Sequence, residues 1–139
     1  MNHGPQFVVD TSVAVPLLID SHTIHSLVAV WAAGLRLGLS GHALAETYSV
    51  LTRLPGEARV SATDAAQLID DNFPDRLMLS PGLASQAHRE LQKTGVSGGA
   101  TYDGLVALAA REHDMVLVTR DARAVPTYEA VGAQVKVLS

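Results

Sequence analysis

The chain has 139 residues, 47% of them hydrophobic, a formal charge of −4 and no cysteine. That length suits one domain, residues 1–139, burying about two-thirds of the surface its unfolded form exposes without disulfide staples. The acidic balance argues against nucleic-acid binding through a broad basic face, unless the acids cluster around a metal ion that screens them locally. The absence of cysteine, of a basic-then-apolar leader and of any apolar run near the ~18 residues of a membrane span leads us to expect a soluble, cytoplasmic protein.

In chain order, Phe7-Val8-Val9 reads as a short buried strand that ends at Asp10. Thr11 to Leu18 follows as a short helix with Thr11 or Ser12 as N-cap, Pro16 being acceptable only near the first turn. Ile24, Leu27, Val28, Trp31 and Leu35 form the stripe of an amphipathic helix over 21–34, closed by Gly34. Arg36–Ser40 is the second strand, and Ser40-Gly41 opens a helix with its stripe at Leu44, Thr47, Tyr48 and Leu51. Ser61-Ala62-Thr63-Asp64 resembles a capping box, starting a helix whose solvated end carries Asp70, Asp71 and Asp75. Arg76–Leu79 is a third strand, and Ser80-Pro81 caps a helix running to Lys93. Gly95–Ala100 reads as a mobile connector that could approach a substrate backbone, although a plain linker is the simpler account. From Thr101-Tyr102-Asp103 a helix apolar on every side leads to the continuous apolar strand Met115–Thr119, then Arg120-Asp121. A helix from Ala122 to about Val131, interrupted by Pro126, and a last strand Gln134–Leu138 complete a three-layer α/β domain with a mostly parallel sheet.

Asp10 and Asp121 each follow a buried strand, Asp103 lies in a first helical turn, and Glu46 lies in an early turn of the helix after a strand. Ligand crevices of open α/β sheets form outside the carboxyl ends of the strands, so these acids are expected at one rim. Packing them together without a cation costs several kcal/mol per ion or forces protonation. Mg²⁺ or Mn²⁺, which favour carboxylate and water ligands, would relieve that cost and leave a water free to attack a phosphodiester. The four acids equal the net charge of −4, so the remainder of the chain is formally neutral.

The segments Val8-Val9-Asp10-Thr11-Ser12, Ala45-Glu46-Thr47, Tyr102-Asp103-Gly104-Leu105-Val106-Ala107-Leu108-Ala109 and Val118-Thr119-Arg120-Asp121 resemble, in order and spacing, the four signatures of PIN-domain ribonucleases. The Asp-Thr-Ser opening and short length are most similar to the VapC toxins of bacterial toxin–antitoxin pairs. The resemblance implies a five-stranded parallel sheet and a quartet of Asp10, Glu46, Asp103 and Asp121 holding Mg²⁺ or Mn²⁺, with Asp10 and Asp103 as the core ligands. It assigns supporting hydroxyls to Ser12 and Thr119. It also implies a structured RNA substrate such as tRNA or rRNA, cut by a metal-activated water, a homodimer, and a small VapB-type antitoxin that blocks the site. Gly104 stands where the family often has alanine, and is expected to loosen the start of its helix.

Each acid also has an ordinary explanation. Asp10 and Asp121 fit helix caps, Asp103 a partner for Thr101, and Glu46 a carboxylate gaining from the helix dipole. Arg53, Arg120 and Arg123 are the cations best placed to meet RNA phosphates, solvated surface arginines being the default. His22 and His25, lacking a third ligand nearby, read as a surface pair, while His42, His88 and His113 have no assignable partner. Trp31 reads as a core or dimer contact. Two other functions compete. A haloacid-type phosphatase needs a second acid two residues after the first, where Ser12 stands instead. A catalytically weak PIN scaffold that only binds a partner would show no Mg²⁺ binding.

Overall fold

The computed structural model describes residues 4–139. Five strands, β1 (Phe7–Val9), β2 (Leu37–Ser40), β3 (Asp75–Leu77), β4 (Val116–Thr119) and β5 (Gln134–Val137), alternate with seven helices. These are α1 (Thr11–Leu18), α2 (His25–Ala32), α3 (Gly41–Thr52), α4 (Ala62–Asn72), α5 (Pro81–Lys93), α6 (Thr101–Glu112) and α7 (Val125–Val131). The sheet runs β3-β2-β1-β4-β5 with every neighbouring pair parallel. From β1 the chain steps outward to β2 and β3, returns across the sheet to β4, and steps outward again to β5. Right-handed crossovers then set α1 to α4 on one face and α5 to α7 on the other.

Burial explains the apolar runs. Val8, Val9, Leu39, Leu117 and Val118 have no solvent exposure, as strands covered on both faces require. Leu108 and Ala107 of α6 are equally buried. Among the described residues no helix is long and apolar enough to cross a membrane.

Several local expectations are corrected. The cap of α1 is Asp10 rather than Thr11 or Ser12, and Pro16 lies inside the helix, beyond its first turn. Proline there removes a backbone donor and crowds the preceding turn, which a helix of eight residues tolerates only because it ends soon after. The second helix starts at His25, not 21, because 20–24 form turns in which the Ile24 amide donates to His22 Nδ1 at 3.2 Å. His25 Nδ1 lies 2.9 Å from the Pro16 carbonyl, which the early end of α1 leaves without a helical partner. Asp75 is not the solvated end of α4 but the first residue of β3, where its carboxylate accepts from Arg36 Nε (2.5 Å) and Nη2 (3.1 Å). Gly98–Ala100 is a 3-10 turn leading directly into α6, not a loose connector. Pro126 does not interrupt the last helix; it sits in the first turn of α7.

Gly104 is needed for packing. A Cβ at this buried position would stand 2.5 Å from Leu91 Cδ2 on α5 and 3.2 Å from Val96 Cγ1. Rather than loosening the helix, the missing side chain lets α6 seat closely against α5.

Candidate active site

Asp10 leaves the central strand at the carboxyl edge and is 5% exposed. Its Oδ1 accepts from the Ser12 amide (3.1 Å) and hydroxyl (2.5 Å). Its Oδ2 accepts from the Thr119 hydroxyl at the end of β4 (2.5 Å) and from the Tyr128 hydroxyl on α7 (2.7 Å). A carboxylate offers about four lone-pair directions, so this one is saturated. The same hydroxyls also accept: Ser12 Oγ from the Arg120 amide (2.8 Å) and Thr119 Oγ1 from the Asp121 amide (3.0 Å). Asp10 therefore caps α1 and ties the ends of β1, β4 and α7 together.

The other acids are held more loosely. Asp121 caps the turn after β4, its Oδ1 accepting from the Arg123 amide at 3.0 Å. Glu46, half-exposed on α3, places Oε2 3.5 Å from His42 Nε2 one turn earlier. Asp103 lies in the first turn of α6, which has no side-chain cap, so a cap shared with Thr101 is not its role.

Electrostatics link these positions. Burial raises the Asp103 carboxyl above its ordinary range, and the charges of Asp10, Glu46 and Asp121 raise it further, against a smaller opposing effect from His42. Burial also raises Asp10, while hydrogen bonds from Ser12, Thr119 and Tyr128 pull it back. Tyr128 is pushed far up, first by burial, then by the charge and hydrogen bond of Asp10, with Asp103 and Asp121 adding to it. The charges of Asp10, Glu46 and Asp121 thus all act on Asp103.

Among the described residues, no three His, Asp or Glu side chains are drawn close enough to form a ready-made metal cage. The donor set still fits a hard divalent cation. It is all carboxylate, its arginine partner, Arg123, is almost fully exposed, and Mg²⁺ keeps several waters that can span gaps between protein ligands. Asp103, whose carboxyl the surrounding acids disfavour as an anion, gains most from such an ion. Asp10 would have to give up a hydrogen bond to reach it.

The arginines separate. Arg123 is almost fully exposed, with Nε 3.6 Å from Asp121 Oδ1. Arg120 Nη1 turns to the Leu138 carbonyl at 3.3 Å. Arg53 is the C-cap of α3, two turns beyond Glu46 and away from the helix end that meets the rim. Tyr128 and His42 were missed in the sequence. Tyr128 lies outside the four signatures, and its only local sign was a phenol on an otherwise apolar helix face. His42 is four residues before Glu46, a spacing that puts both on one side of α3.

The family model described as "PIN domain" matches residues 7–129. Over 133 residues, 96% of this chain and 97% of the relative, the chain is 52% identical to Ribonuclease VapC27 of Mycobacterium tuberculosis. The chain belongs to the VapC ribonucleases of the PIN-domain family. The VapC fold is matched in solved structures at low identity. VapC20 of Mycobacterium tuberculosis, a sarcin-ricin loop cleaving toxin, aligns with TM-score 0.67 and 21% identity, covering 91% of this chain and 95% of that one. VapBC2 from Rickettsia felis, bound to a DNA fragment from its promoter, aligns with TM-score 0.65 and 14% identity, covering 96% and 98%. In this VapC chain the PIN match spans Asp10, Glu46, Asp103 and Asp121 together.

Proposed function

We propose that this VapC chain is the toxin of a toxin–antitoxin pair, an endoribonuclease that uses Mg²⁺ or Mn²⁺ to cut a structured RNA, either tRNA or rRNA. The observation that carries this reading is the buried Asp10 carboxylate at the end of the central strand, gripped by the Ser12 and Thr119 hydroxyls, with the charges of Asp10, Glu46 and Asp121 all acting on Asp103. Membership among VapC ribonucleases supplies the reaction class. VapC20, named for cleaving the sarcin-ricin loop, supports a structured target, and the VapBC2 complex supports a VapB-type antitoxin. A homodimer in the cytoplasm completes the expectation, and light scattering on the purified chain tests the dimer.

Asp10, Glu46, Asp103 and Asp121 would hold the cation. A bound Mg²⁺ or Mn²⁺ supplies an activated water and a counter-charge for the phosphodiester. Ser12 and Thr119 fix the direction of the Asp10 carboxylate, so that it is oriented before substrate arrives, while the Tyr128 hydroxyl occupies a position on Oδ2 that an ion could take. Glu46 and Asp121, both partly exposed, are the acids within reach of a proton from water at the rim.

The purified chain should cut tRNA or rRNA with Mg²⁺ or Mn²⁺, lose that activity in EDTA, and lose it again as Asp103→Asn. RNA left intact by the unmodified chain with either ion, or cut equally by Asp103→Asn, would overturn the reading.

A further inference from the structure

Tyr102 stands in the first turn of α6, immediately before Asp103, and 57% of it is exposed. One face of its ring stacks on His42 of α3, with centroids 5.2 Å apart and planes 13° from parallel. His42 in turn lies 3.5 Å from Glu46 and acts electrostatically on Asp103. Its other face is open to solvent, and contact between α3 and α6 needs only the covered face. The stacked pair is a flat, braced surface at the border of the acid rim, on the β2 side of Asp103.

We infer that the outer face of Tyr102, backed by His42, stacks an unpaired base of the RNA substrate and so sets where the strand crosses the acids. The inference rests on the ribonuclease reading and adds a determinant of substrate placement to it. Charge makes such a platform necessary. An acidic rim repels phosphates, Arg120 is engaged with the Leu138 carbonyl, and Arg53 sits at the far end of α3. Arg123 is exposed but ion-paired with Asp121, so none of the three arginines considered for RNA contact is a free cation at the acids. Stacking on an aromatic ring needs no phosphate contact and accepts any base. Single-stranded loops of folded RNA, whose bases can splay outward, are the substrates that present one.

The test uses a short single-stranded RNA carrying 2-aminopurine, whose fluorescence falls when it stacks, bound in Mg²⁺ to the full chain made cleavage-deficient by Asp103→Asn. Adding Tyr102→Ala should abolish the quench and weaken binding about 5-fold or more, the lower end for loss of one base–aromatic stack. Tyr102→Trp and Tyr102→Phe should keep both. In the cleaving chain, Tyr102→Ala should raise KM by a similar factor with kcat little changed, while circular dichroism reports an intact fold. Failure of the parent to bind and quench the probe overturns the inference, as does an unchanged quench and KM in Tyr102→Ala. So does a loss confined to antitoxin binding. If RNA cleavage persists with unaltered KM, the stacking platform fails and the ribonuclease reading stands; if neither chain cuts RNA, the ribonuclease reading itself fails.

Discussion

Asp10 and Asp103 carry the same kind of charge in very different surroundings, so the same substitution should act differently at each. Asp103 lies in the first turn of a helix that has no side-chain cap and is repelled by three acids. Asp103→Asn should therefore raise the thermal midpoint at neutral pH without divalent ions. Asp10 is saturated by hydrogen bonds; asparagine offers one acceptor oxygen fewer, so Asp10→Asn should give no such gain and a lower midpoint than Asp103→Asn. Sequence reasoning alone expects both variants to keep or gain stability, because crowding of acids was legible and, although Ser12 and Thr119 were expected as supporting hydroxyls, the fourth donor that saturates Asp10, Tyr128, was not. Tyr128→Phe isolates one of those donors. It removes a buried hydrogen bond to a charged acceptor and should cost about 2 kcal/mol in urea unfolding, while freeing Oδ2 and tightening Mn²⁺ binding by calorimetry. Weaker Mn²⁺ binding in that variant would show that the phenol orients the carboxylate for the ion rather than competing with it.

The pH dependence of stability follows from the same groups. Both acids titrate above an unfolded aspartate, near 3.9, because the native state disfavours their anions. Between the unfolded and the raised native values the folded chain binds more protons, so these groups lower stability as pH rises through that window and change nothing above it. Without divalent ions, the unfolding free energy of the unmodified chain minus that of Asp103→Asn should become more negative from acid to neutral pH. A flat difference would show that Asp103 is not under the repulsion described.

At the scale of elements, α6 is fixed by how closely it can approach α5. Gly104→Ala gains about 1 kcal/mol of helix propensity, but a Cβ 2.5 Å from Leu91 and 3.2 Å from Val96 overpacks a site where both neighbours are buried. Overpacking costs about 1–3 kcal/mol, so the net effect should be a lower urea midpoint together with reduced cleavage, since Asp103 is one residue away. The order and type of elements were legible because each strand is a short apolar run and each helix carries a stripe or a cap. What was not legible depends on neighbours distant in sequence. Arg36 draws Asp75 into β3, Leu91 explains Gly104, and Tyr128 reaches Asp10 across 118 positions. The start of the second helix at His25 was obscured because the turns before it carry Ile24, which extends the apolar stripe backward.

For the whole molecule, the strand order places β1 between β2 and β4, so loops diverge on either side of Asp10 and leave a crevice there. Asp10 follows β1, Glu46 and Asp103 lie on the helices after β2 and before β4, and Asp121 follows β4, and we propose that a cation is held among them at that edge. A cation bound only by the folded chain should stabilise it by about 1.4 kcal/mol at ten times its dissociation constant. Thermal midpoints measured with and without Mn²⁺ should show that rise, and Asp103→Asn should remove most of it.

The clasp on Asp10 also bears on synthesis. Its donors come from the first helix, from Thr119 and from Tyr128, so a nascent polypeptide must extend more than a hundred residues past Asp10 before that carboxylate is locked in place. A protein harmful to the RNA of the cell that makes it would thereby emerge unarmed, and a premature stop between codons 122 and 128 would release a product that keeps all four acids but lacks the phenol that completes the clasp on Asp10.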